Sequence, residues 1–243
     1  MDELQKFAQD VAQNIDGMAK DREMQQRSLD WLVASLPHKY SYNFTWMGLP
    51  IIQYPQDIVA MQEIVWRVRP DLIIETGVAR GGSLVFYASL LELIGNGIVV
   101  GVDIDIRPHN RTAIEAHPMA RRVALVEGSS TSEPVLERVR ELVSGRERIM
   151  VVLDSNHTHE HVLAELRAYC SFVSVGSYCV VMDTVVEDLP HTLFANRPWG
   201  RGDNPKTAVR AFLTGDDRFE VDSAIQSKLL ITVAPDGYLR RVR

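Results

Sequence analysis

Leu72-Ile73-Ile74-Glu75-Thr76-Gly77-Val78-Ala79-Arg80-Gly81-Gly82-Ser83, followed after an apolar, helix-like segment by Ile98-Val99-Val100-Gly101-Val102-Asp103, decides the fold. An apolar run entering a glycine turn, then a helix, then a second apolar run ending in a carboxylate is how an α/β sheet grips a nucleoside-bearing ligand. The alternation continues on both sides. From Pro55 the chain reads as helix Gln56 to Val68, strand Leu72 to Thr76, helix Ser83 to Ile94 and strand Ile98 to Asp103. Helix Arg111 to Ala116, strand Val123 to Glu127, helix Glu133 to Ser144, strand Ile149 to Leu153, helix His159 to Cys170 and strand Tyr178 to Met182 follow. Beyond Pro205, a helix from Lys206 to Leu213 leads to strands Phe219 to Val221 and Leu229 to Val233. The expected fold is α/β and Rossmann-like: a mostly parallel sheet with helices on both faces and an antiparallel C-terminal edge hairpin.

Ahead of this core, Leu4, Phe7, Ala8, Val11, Ile15 and Met18 recur at helical spacing, and a second helix is expected over Gln25 to Ser35, ended by Pro37. Tyr40 to Gln53, rich in aromatics and turn formers, fits neither period and reads as a loop that covers something. Residues 1–54 are thus expected to be a helical extension with a cover loop, and residues 55–243 the ligand-binding domain. The amphipathic pair must bury its apolar stripe in cis or across a two-fold, so a homo-oligomer is expected.

Composition narrows the partners. With 243 residues, 46% of them hydrophobic, the chain can bury one substantial core. Its net charge of −6 offers no basic field for nucleic acid or anionic lipid, which favours a small or neutral substrate. The only cysteines, Cys170 and Cys179, suggest buried thiols in a reducing compartment, and no run approaches a membrane span or a signal sequence. A cytoplasmic location is expected.

The glycine spacing selects the cofactor. A dinucleotide site wants G-x-G-x-x-G, whereas here the pattern is Glu75-x-Gly77-x-x-x-Gly81-Gly82. A carboxylate at the strand end repels a pyrophosphate but attracts a cationic amino-acid head, so S-adenosylmethionine (SAM) fits better than NAD. Gly77 lets the backbone pass close to the ligand, and Gly81 and Gly82 open the helix against it. Asp103 is placed to accept hydrogen bonds from both ribose hydroxyls, and Ser129, in Glu127-Gly128-Ser129-Ser130, should lie beside the adenine. The expected cofactor contacts are Glu75, Gly77, Arg80, Gly81, Ser83, Asp103, Ser129 and Asp154.

A second chemical cluster follows the fourth core strand: Asp154-Ser155-Asn156-His157-Thr158-His159-Glu160-His161. Ligands in open α/β sheets bind outside the carboxyl ends of the strands, so Asp154 and His157 should share a crevice with Glu75 and Asp103. The next strand ends in Asp183. Paired oxygen ligands at neighbouring strand tips suit Mg²⁺ better than Zn²⁺. His157, His159 and His161 alternate across a loop entering a helix and cannot share one face, which argues against zinc. His159 and His161 are expected on the solvated first turns of that helix.

These segments resemble the cephalosporin hydroxylase and rhamnosyl O-methyltransferase family of class I SAM-dependent methyltransferases. The resemblance runs from about Tyr42 to Arg210 and is densest in Glu75 to Ser83, Leu153 to Thr158 and Asp183-Thr184-Val185-Val186-Glu187-Asp188. It implies that Asp154 and Asp183 bind Mg²⁺ and that His157 acts as the base. Some relatives have Glu directly before the second Asp, where this chain has Met182, so Thr184, Glu187 or waters are left to complete the coordination. Catechol-type enzymes place Lys at the His157 offset. No recognisable two-His, one-carboxylate triad is present, which sets hydroxylation aside.

Methyl transfer requires a hydroxyl oxygen held in line with the methyl carbon and relieved of its proton as the bond forms. Imidazole, with an unperturbed pKa of about 6.5, suits His157 to accept that proton. On the acceptor side, Phe194 to Lys206 is long, polar and glycine-rich, as expected of a loop that folds over a substrate. Trp199 could stack on a sugar face, and Arg197 or Lys206 could meet a phosphate of a linked donor. Trp46, Tyr42 and Gln53 are expected to cover the cofactor from the other side. The leading expectation is a Mg²⁺-assisted sugar O-methyltransferase acting on a small-molecule or glycan acceptor; a phenolic acceptor and a non-catalytic SAM-binding partner protein are the alternatives.

Overall fold

A computed structural model describes residues 2–243. Two helices, α1 (Glu3–Lys20) and α2 (Arg22–Ser35), lead through short 3₁₀ turns into a hairpin of β1 (Phe44–Trp46) and β2 (Leu49–Ile51). The core then alternates: α3 (Pro55–Val68), β3 (Leu72–Thr76), α4 (Gly82–Ile94), β4 (Ile98–Asp103), α5 (Pro108–Glu115), β5 (Val123–Glu127), α6 (Glu133–Val143), β6 (Ile149–Leu153), α7 (His159–Tyr169) and β7 (Tyr178–Val181). The chain closes with α8 (Pro205–Gly215), β8 (Phe219–Val221), α9 (Ser223–Leu229) and β9 (Tyr238–Arg241). No helix among the described residues is long and apolar enough to cross a membrane.

Seven strands form one sheet in the order β5-β4-β3-β6-β7-β9-β8, parallel from β5 to β7, with β9 antiparallel to both of its neighbours. The mostly parallel sheet and its antiparallel C-terminal edge are those expected. Strands β3 and β6 are buried along their whole length, and alternate residues serve opposite faces. Ile73, Val99, Met150 and Val152 pack with α3 and α4, while Ile74, Val100, Val151 and Leu153 pack with α6, α7 and α8. Burial on both faces explains why these strands read as unbroken apolar runs.

The strand order reverses between β3 and β6, since the chain runs outward through β4 and β5 before returning to the other side of β3. A reversal of this kind opens a crevice at the carboxyl ends of the strands, and the candidate residues gather there.

Two segments depart from expectation. Leu229 to Val233 is not a strand: helix α9 ends at Leu229, Leu230 turns left-handed at φ 60°, and the partner of β8 is β9. The cause is Asp57 of α3, whose buried carboxylate accepts from the Thr232 hydroxyl at 2.5 Å and the Val233 amide at 3.0 Å. Those bonds tie the stretch to the helical layer instead of a sheet ladder. Within Tyr40 to Gln53, the hairpin reverses at Met47 and Gly48, both at positive φ, as a two-residue turn matched to strand twist requires. Trp46 anchors it to α4, donating to the Ser89 hydroxyl at 3.1 Å and meeting Phe86 edge-on at 4.8 Å.

Candidate active site

The glycine turn is fixed by steric necessity. Gly77 sits at φ 90°, and a Cβ built on it would lie 2.0 Å from the Asp154 carbonyl oxygen. Gly82 is held as tightly from above, where a Cβ would lie 2.2 Å from the Pro50 carbonyl oxygen of β2. Glycine at these positions lets β6 and the cover hairpin close on the turn from opposite sides. Ala79 is left-handed at φ 46°, and the Asn110 side chain of α5 donates to its carbonyl at 2.7 Å.

Asp103, at the tip of β4, accepts from the Val78 amide at 2.7 Å, the Ala79 amide at 3.3 Å and, through its other oxygen, the Asp105 amide at 3.1 Å. A carboxylate pair offers about four acceptor sites, so Asp103 organises the turn and keeps capacity for a ligand hydroxyl. It lines a cavity of about 360 Å³ together with Gly77, Ser129, Asp154, His161 and Trp199. Arg80 is exposed at the mouth of a narrower adjoining cavity whose wall includes Gln53, Gly77, Gly81, Ser83 and Asp154. Ser83 donates to Glu75 at 2.8 Å. Burial pushes the Glu75 carboxyl up to about 8, against the pull of the Ser83 hydrogen bond.

Asp154, His157 and Asp183 each turn one ligand atom toward a common point, all within 4.8 Å of one another. His157 Nε2 stands 3.3 Å from Asp183 Oδ2. Asp183 is left-handed at φ 55°, a conformation its short polar side chain tolerates and one that turns the chain sharply after β7. Burial holds the Asp154 carboxyl well above its usual range, with the neighbouring charges of Asp183 and Glu75 adding to the rise. Clustered acids that repel one another in a partly dry crevice form a site that a cation stabilises.

The structure corrects two candidates. Thr184 donates its hydroxyl to the Pro235 carbonyl at 2.6 Å, and the third member of the acid cluster is His157. Lys206 is buried, 5% exposed, and paired with Asp188 at 2.6 Å and Asp236 at 3.2 Å, so that it lashes α8 to the segment after β7. Trp199 meets the His157 ring edge-on at 4.9 Å, and the exposed Arg197 lies over Trp199 at 5.2 Å.

Two further groups were not expected in this wall. His159 is turned away, with its Nδ1 2.8 Å from the Thr207 hydroxyl, but His161 faces inward. Its Nε2 lies 3.4 Å from the buried Glu165, whose hydrogen bond raises the imidazole pKa. The i, i+4 spacing of His161 and Glu165 was the available signal. Asn110 carried none, because its partner is a backbone carbonyl far away in sequence.

Strand order, glycine turn and tip carboxylates together define the class I methyltransferase fold. A family model described as Rhamnosyl O-methyltransferase/CmcI matches residues 38–242, and the chain belongs to that family; it is a SAM-dependent O-methyltransferase. The rhamnosyl O-methyltransferase of Mycobacterium tuberculosis (strain ATCC 25618 / H37Rv) is 32% identical over 223 residues, covering 86% of this chain and 85% of the relative. That of Mycobacterium leprae (strain TN) is 32% identical over 222 residues, covering 86% and 90%. Among solved structures, CmcI described with Mg and SAM superposes with a TM-score of 0.57 at 19% identity, over 83% of this chain and 78% of that one. An O-methyltransferase from Bacillus cereus in complex with SAH gives 0.55 at 16%, over 92% of each chain. At such identities the superpositions speak for the fold.

Proposed function

We propose that the protein transfers the methyl group of SAM to a hydroxyl of a sugar, with Mg²⁺ held by Asp154 and Asp183 beside His157. The observation that carries this reading is the convergence of those three side chains within 4.8 Å at the edge of the cofactor cavity. Two carboxylates match the oxygen donors a hard divalent ion prefers, the imidazole is left free for proton transfer, and the upward shift of the Asp154 carboxyl marks a place that lacks positive charge. The named activity of the mycobacterial relatives supports a deoxysugar acceptor.

SAM supplies an electrophilic methyl group, and Mg²⁺ supplies the charge that makes an acceptor hydroxyl easier to ionise. The chain's own residues do the rest. Asp103 and Ser129 hold the adenosine, with Arg80, Gly81 and Ser83 at the glycine turn. Glu75 faces the amino-acid end. His157, beside Asp183 and walled by Trp199, receives the acceptor proton through the ring nitrogen nearest the acids. Trp199 offers a flat apolar face to a sugar ring, and Arg197 extends that face toward solvent. Oligomerisation through the N-terminal helices, a cytoplasmic setting and the division at residues 54 and 55 belong to the same proposal.

Isothermal titration with SAH and with MgCl₂, on wild type, Asp154→Asn and Asp183→Asn, tests the cofactor and metal assignments. Binding of SAH by all three, with Mg²⁺ binding lost in both variants, is the expected result. A radiolabelled methyl-transfer screen over rhamnosides and catechols then separates sugar from phenolic acceptors; turnover of catechols alone overturns the sugar reading.

A further inference from the structure

Gln53, on the segment between β2 and α3, is 3% exposed, and both atoms of its amide, Oε1 and Nε2, are buried without a hydrogen-bond partner in the protein. The Tyr87 hydroxyl beside it is buried and has no other partner. Leaving a buried donor or acceptor unsatisfied is costly, so these unpaired groups side by side call for an explanation. Gln53 lines the narrow cavity shared with Gly77, Ser83 and Asp154. Glu75, with its carboxyl bonded to Ser83, belongs to the same neighbourhood.

The chemistry of these groups is complementary to one kind of ligand. An amide presents a donor and an acceptor side by side, the Tyr87 hydroxyl can do either, and Glu75 accepts. A zwitterionic α-amino acid carries a carboxylate and an ammonium group at the spacing an amide spans. A simple anion would leave Gln53 Oε1 and Glu75 unmatched, and a simple cation would leave Gln53 Nε2 unmatched.

We propose that Gln53 is a binding residue for the amino-acid end of SAM, its Nε2 donating to the carboxylate and its Oε1 accepting from the ammonium group. The assignment rests on the SAM reading of the site. It gives the cover hairpin a function, because Gln53 lies two residues beyond β2, whose Pro50 carbonyl sits against Gly82. Cofactor binding then stitches the cover segment to the glycine turn through one side chain. It also makes Gln53 a residue that costs stability in the ligand-free protein and recovers it on binding.

The test compares two ligands that differ only in this tail. S-adenosylhomocysteine carries the amino-acid end, and 5′-methylthioadenosine lacks it. Calorimetry on wild type, Gln53→Met and Gln53→Asn is expected to show SAH binding weakened about tenfold or more in both variants, with 5′-methylthioadenosine affinity unchanged. Thermal unfolding without ligand is expected to place Gln53→Met at or above wild type, the opposite of what a structural amide gives. Equal weakening of both ligands, unchanged SAH binding, or a lowered melting temperature with SAH binding intact overturns the assignment. If wild type binds neither ligand, the SAM reading itself falls; if wild type binds both and the variants match it, only the Gln53 assignment falls.

Discussion

Gly77 and Asp154 meet backbone against backbone: a Cβ on Gly77 would stand 2.0 Å from the Asp154 carbonyl oxygen, in a residue already at φ 90°. The turn that receives the cofactor and the strand tip that presents the acid cluster are therefore one rigid unit. Gly77→Ala incurs both the left-handed backbone penalty and a clash that neither backbone can avoid. A loss of roughly 2–4 kcal/mol is expected, read by urea unfolding, together with weakened SAH binding at temperatures where the variant remains folded.

Glu75 makes stability depend on pH in the ligand-free protein. Its folded value of about 8 exceeds the unfolded 4.5, so the folded state holds the proton more tightly between those limits. Stability then falls as pH rises through that window, because the native state must give up a proton or bury a charge. Asp154, shifted in the same direction, adds to the slope. The melting temperature is expected to drop between pH 5 and pH 8, and Glu75→Gln is expected to flatten that part of the dependence. Saturating SAH, whose ammonium group favours the ionised carboxylate, should reduce the slope in wild type.

The parts of the molecule that were legible in sequence are those governed by local pattern. Strands β3, β4 and β6 could be bounded from their apolar runs because both of their faces are covered, and β5, at the sheet edge, from its position in the same alternation. Glu75, Asp103, Asp154 and Asp183 could be placed because strand tips in such a sheet share one edge. Leu229 to Val233 misled because its apolar content satisfies a strand, while its actual conformation is set by Asp57, distant in sequence and buried in α3. Lys206 misled for a related reason: a lysine in a polar loop reads as free, and only the folded chain brings Asp188 and Asp236 around it. Thr184 sits next to Asp183, but the turn there directs its hydroxyl to the Pro235 carbonyl.

Lys206 is expected to act on stability rather than on the acceptor. Lys206→Ala removes a buried cation from between two carboxylates, each more than a third exposed, and leaves them facing each other. Breaking a buried pair from one side costs about 3–5 kcal/mol, and the partial exposure of both acids places the expected loss at the lower end. Chemical denaturation measures it. An unchanged midpoint, with acceptor KM raised instead, would return Lys206 to the substrate.

His157 and Trp199 can be separated by kinetics. The imidazole touches Asp183 on one side and the Trp199 edge on the other, so its orientation depends on both. His157→Ala is expected to lower kcat by about a hundredfold or more, the contribution of a positioned general base. SAH affinity in that variant should persist, since none of the groups around the adenosine cavity is altered. Trp199→Phe keeps an aromatic wall and is expected to retain most of the rate, whereas Trp199→Leu removes the flat face and should raise acceptor KM about tenfold while lowering kcat. A rate that survives His157→Ala with its pH profile intact would move the proton acceptor to one of the two acids, and the same profile measured in Asp183→Asn would show which.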